Sequence, residues 1–197
     1  MQVPPFTFDS FEALTPKQSK ELFQWYVNDI PFRLQQLQIY LDEETSGKIQ
    51  LTKSKESLVS LWNWFSTTIR TRKRSETELQ EELNTVPEWL HPFIIADDQK
   101  FTLESVVVGM DISIYFAEVF IQFHPEVKWG YFTKPKKRVS VNEPVILGFI
   151  NGMEMNPRRI VDTIMWQSVK KTSTDGLIDA YNIWEHFVPN TAEINNL

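Results

Sequence analysis

The sequence predicts an α+β fold, mainly helical, with a small antiparallel sheet of about three strands. Three observations lead there. The run from Val106 to Phe123 is apolar except for Gly109, Asp111, Ser113, Glu118 and Gln122, the signature of a helix buried on most sides. Two earlier stretches and one late one repeat apolar residues at the 3.6-residue period of a helix. Between His124 and Phe149, by contrast, short apolar runs alternate with turn residues, which is strand-like. With 42% hydrophobic residues in 197, the chain has material for one large core, and one globular domain over 1–197 is expected.

From the N-terminus, residues 1–14 are rich in Pro and Phe and read as an extended arm laid on the domain by Phe6, Phe8 and Phe11. Thr15-Pro16-Lys17-Gln18 is a helix start, with Thr15 as cap and Gln18 positioned to complete a capping box. Leu22, Tyr26, Ile30, Leu34, Leu37 and Leu41 follow the helical period. Pro31 is expected to kink that helix or split it in two, with Asp29 capping the second half. Ser54 opens a further helix whose inner stripe is Leu58, Leu61, Trp62, Phe65 and Ile69. The basic run Arg70–Arg74 and the glutamates at 76, 78, 81 and 82 are expected to neutralise each other at the surface, with Ser75 and Glu78 forming a capping box. Trp89 is expected to tuck inward, and Phe93–Ala96 to form a brief strand.

Thr102 caps the apolar helix. Beyond it, 128–133, 138–141 and 145–149 read as three strands, the first two joined by the loop Lys134-Pro135-Lys136-Lys137. Lys and Pro in such a loop are read as solvated and protective of a hairpin edge. Asn156-Pro157 starts another helix, lined inside by Ile160, Val161, Ile164 and Met165. Thr174 or Asp175 starts the last one, and 190–197 read as a flexible tail.

Composition narrows the function classes. The chain carries 26 acidic against 20 basic residues, a formal charge of −6, so its long-range field disfavours nucleic acid and anionic membrane. Basic residues next to Trp129, Tyr131 and Phe132 form a pattern that can stack single-stranded bases, but the acidic balance opposes it. There is no cysteine, hence no thiolate nucleophile or disulfide, which fits a reducing cytoplasm. The first residues have no basic and apolar signal-peptide regions, again consistent with a cytoplasmic location. The histidines at 91, 124 and 186 form no metal-binding spacing, and no phosphate-binding glycine loop or nucleophile elbow is present. No cofactor or metal is expected.

One constellation carries chemistry. Glu104, Asp111 and Glu118 recur every seven residues on the apolar helix, about two turns or roughly 10 Å apart. That is too wide for two of them alone to hold one ion, and a stripe of this kind is expected to meet water or basic side chains. Glu118 lies among Phe116, Ala117, Val119 and Phe120, so it is expected to be buried and paired, with Arg138, Arg158 or Arg159 as partner. Asp111, Tyr115, Glu118 and Trp129 are the candidate binding residues.

The run Tyr115-Phe116-Ala117-Glu118, the following Trp129 and the Asn156-Pro157 helix start resemble uncharacterised bacterial domains of unknown function. Their helix ends in Tyr-x-Gly-Glu, and Ala117 stands here in place of the glycine. The resemblance covers residues 101–165 and implies an immunity-like or accessory protein. The expected function is therefore that of a non-catalytic interaction protein binding a basic protein partner. The alternative is a hydrolase-like or ligand-binding enzyme sited around Asp111, Glu118 and Trp129. An exposed aromatic patch favours the first reading and a pocket with a raised carboxylate pKa the second.

Overall fold

The computed structural model describes residues 4–173 and 176–189. Helix α1 spans Pro16–Thr45 and begins at the predicted capping box, with Gln18 N–H donating to Thr15 Oγ1. It runs through Pro31 without a break, contrary to expectation. Proline removes one backbone donor there, but Pro31 lies on the exposed side. Burial of Leu22 and Ile30 before it and Leu37 and Leu41 after it holds both halves to one core. Asp29 is consequently no cap. It is an interior helical residue, and it is buried.

Helix α2, Lys55–Thr68, starts at Ser54 and buries Leu58, Leu61, Trp62 and Phe65. Strand β1, Thr71–Lys73, pairs antiparallel with β2, Gln99–Phe101. Sequence reasoning missed both strands, because a three-residue charged strand has no apolar alternation to read. Helix α3, Glu76–Thr85, starts at the predicted Ser75 box. The basic and acidic runs neutralise each other only in part: Arg72 pairs with Glu78 and Arg74 with Glu82, while Lys73 pairs with Asp98 instead and Lys100 also bonds Glu78. A one-turn 3-10 helix, Glu88–Leu90, leads into α4, His91–Ala96. The strand expected at Phe93–Ala96 is thus a helix, started by Pro92 in its first turn. Trp89 does not tuck inward but stands exposed.

Helix α5, Leu103–Phe123, is the axis of the fold. By length and apolarity it could cross a membrane, yet Ile112, Tyr115, Phe116, Ala117, Val119 and Phe120 are fully enclosed by the rest of the chain. Strands β3 (Lys128–Gly130), β4 (Val145–Leu147) and β5 (Glu154–Met155) form an antiparallel sheet in that order. The third strand is therefore not 138–141, which forms turns and one bridge, Phe132 to Val141. Gly148, at φ +112, begins the turn out of β4, where a Cβ would lie 2.5 Å from the Glu126 carbonyl. Glycine is required there.

Helix α6, Pro157–Lys170, is capped by Asn156 as predicted and packs closely along α5 at Gly109, where a Cβ would meet Met165. Helix α7 spans Leu177–Glu185. The start predicted at Thr174 or Asp175 and the tail at 190–197 lie outside the described residues. In the described part of the arm the rings pack on one another, Phe6 on Phe8 and Phe8 on Phe11. Lys136 in the basic loop is not simply solvated: its Nζ donates to the carbonyls of Glu12 and Leu14. With Asn142 donating to the Phe11 carbonyl at 2.6 Å, it straps the arm down.

Candidate functional site

The carboxylates of α5 meet α1 in a ladder. Tyr40 donates its hydroxyl to Glu104 at 2.9 Å, and Arg33 Nε donates to Asp111 at 2.6 Å. Seven residues up α5 thus match seven back along α1, so the two helices run antiparallel. At the next step stands Tyr26, whose ring meets the edge of Trp129 with centroids 5.4 Å apart. Trp129 Nε1 in turn donates to Glu118 at 3.0 Å. Lys53 supplies the charge opposite Glu118, at 3.1 Å.

Each of the four predicted residues is occupied, but they do not share one seam: Asp111 meets α1, Tyr115 meets the start of α2, and Glu118 is bonded to Lys53 and to Trp129 of β3. Asp111 is held by Arg33, and burial pushes its carboxyl above the usual range against the pull of that guanidinium. Tyr115 is enclosed, its hydroxyl accepting from the Lys53 backbone N–H at 2.8 Å and bonded to the Ser57 hydroxyl. Glu118 and Trp129 are half-buried and bonded to each other. None of the arginines expected for Glu118 reaches it. Arg138 pairs with Glu154, and Arg158 and Arg159 both pair with the buried Glu143. Burial in the contact with α1 accounts for the raised Asp111. Among the described residues no group of three His, Asp or Glu side chains is arranged to hold a metal ion.

Two other regions are chemically unfinished. One is a cavity of about 250 Å³ between the arm, α1 and α5, walled by Phe8, Phe11, Trp25, Tyr26 and Ile114. Trp25 Nε1 in its wall is buried without a hydrogen-bond partner, as are both carboxylate oxygens of Asp29 on the same helix. The other is the stretch from Arg70 to Lys100, in which no residue is buried. It exposes Trp89 (70%), Phe93 (66%) and Ile95 (56%). The exposed Glu76, Glu81 and Glu88 carry no ion pair among the described residues. For the cavity a sequence signal existed: Leu22, Tyr26 and Arg33, which line it, share one face of α1, so a charge interrupts an apolar stripe. For the exposed stretch there was none, since Trp and Phe give no sign of which way they face.

No family model, curated protein or solved structure matches this chain, so the resemblance to uncharacterised bacterial domains rests on its short motifs alone.

Proposed function

We propose that the protein is a non-catalytic interaction protein, immunity-like in kind, that binds a basic protein partner on the surface formed by α3, the 3-10 turn and α4. One observation carries this reading. Trp89, Phe93 and Ile95 stand in solvent on a segment that buries none of its own residues. Large aromatics are costly to leave wet and are the residue types that dominate binding energy in interfaces. The exposed glutamates beside them attract a basic partner and discourage acidic ones. The seam on α5 offers no competing reading, because its polar groups are engaged by their neighbours.

The test is capture on the immobilised full chain, compared with Trp89→Ala/Phe93→Ala. The expected result is a basic polypeptide retained by the parent, released as salt rises, and lost by the double variant with an unchanged melting temperature. A partner retained equally by the variant, or one that is acidic and insensitive to salt, overturns the proposal. Sedimentation showing that the parent self-associates through Trp89 and Phe93 also overturns it, in favour of a second copy of this chain.

A further inference from the structure

The cavity beneath the arm is independent of that surface, and its polar lining can be accounted for group by group. Arg33 is committed to Asp111, and Arg158 and Glu143 are committed to each other. Asn156 donates to Glu143 at 2.8 Å, and the Ser113 hydroxyl donates to the Met110 carbonyl at 2.7 Å. Two lining residues are left over, Trp25 and Tyr26, consecutive on α1. Trp25 Nε1 is buried with no hydrogen-bond partner, and an indole N–H can only donate. The Tyr26 hydroxyl makes no hydrogen bond among the described residues. Burial pushes its pKa up, so it stays protonated and is a donor too. Each charged residue in the wall thus has its counter-ion, while both unanswered groups are neutral donors. A buried donor left without an acceptor costs the full desolvation of the group.

The rest of the wall is apolar and largely aromatic, with Phe8 and Phe11 from the arm and Leu22 and Ile114 from the body. An apolar wall with a few placed polar groups is the usual make-up of a small-ligand site. The volume of about 250 Å³ exceeds the roughly 150 Å³ at which an apolar cavity already accepts benzene. There is room for one ring with a short substituent. A charged ligand would need a free counter-ion, which the wall does not offer. An uncharged one needs only an acceptor for the two donors. We infer that this cavity binds a small, uncharged aromatic molecule carrying a carbonyl oxygen, its ring among the aromatic side chains and its oxygen accepting from Trp25 and Tyr26. Lys136 and Asn142, bonded to the backbone of the arm, hold the arm's side of the wall in place.

Calorimetric titration of the full chain with acetophenone tests this. Ethylbenzene, of similar shape without the oxygen, and benzoate, which carries a charge, are the comparisons. The expected result is saturable binding of acetophenone that raises the melting temperature. Ethylbenzene and benzoate are each expected to bind at least about tenfold more weakly, the first for want of an acceptor and the second for want of a free cation. Tyr26→Phe removes only a hydroxyl, and Trp25→Phe removes the indole N–H while keeping an aromatic wall. Each is expected to lose about threefold or more in affinity for acetophenone. Tyr26→Phe, the smaller change, keeps the test decisive if Trp25→Phe folds poorly. No binding of acetophenone to the parent overturns the inference. Ethylbenzene or benzoate bound as tightly as acetophenone, or affinity unchanged in both variants, overturns it as well.

Discussion

Arg33 and Asp111 show how a buried charge is tolerated on an otherwise apolar seam. Removing Arg33 alone leaves Asp111 enclosed without its cation, and such losses run to about 3–5 kcal/mol. Arg33→Met is therefore expected to destabilise strongly in urea melts, while Arg33→Met/Asp111→Leu recovers most or all of the loss. A double variant no better than the single one would show that the pair is not the coupled unit described here. His124 gives a pH signature. Its ring bonds the Tyr181 hydroxyl at 2.8 Å, and burial holds its pKa below the ordinary 6.5. Glu185 and Glu126 oppose that shift and Lys55 adds to it. The unfolded chain then takes up a proton that the folded one resists, so stability falls as pH drops through 6.5 and levels off below the depressed value. The melting temperature is expected to decline between about pH 7.5 and 5.5, and His124→Asn to flatten that decline. An equal slope in the variant refutes the assignment. At this scale the sequence revealed that Glu118 needs a partner but not which one. Lys53 is 65 residues away along the chain, and only the path of the loop before α2 brings it near.

At the scale of elements, what could be read were those announced by their own local chemistry. Thr15, Ser54, Ser75, Thr102 and Asn156 each cap the helix expected of them, because a cap and its acceptor lie within four residues. The misread elements are those decided by what lies across from them. Pro31 does not divide α1, since a core on both sides outweighs one lost hydrogen bond. The pairing of β1 with β2 depends on residues almost thirty positions apart. The α3–α4 segment hangs from that ribbon, held by ion pairs at the surface rather than by a core of its own. Exposed pairs contribute little. Its amides are thus expected to exchange with solvent by local opening, about a hundredfold or more faster than those of α5, which open only with the whole molecule. Exchange of α3 as slow as that of α5 would mean that the segment is part of the cooperative unit.

Across the whole molecule, α5 is a shaft that α1, α2, α6, α7 and β2 all touch, and the seam with α1 runs much of its length. Aliphatic side chains alone would let two such helices slide past one another by a turn at little cost, since one leucine resembles the next. The heptad ladder works as a vernier: a slip of one turn would mismatch Tyr40 with Glu104 and Arg33 with Asp111 together, stranding charge in the interior. It also fixes where the N-terminal part of α1 meets β3, because Tyr26 packs against Trp129, the indole donor of Glu118. The polar rungs thus contribute positional uniqueness more than strength. A chain with apolar replacements at Arg33 and Asp111 would melt as high and yet settle into several alignments, and the cavity and the arm, both hung on α1, would lose their shape with it.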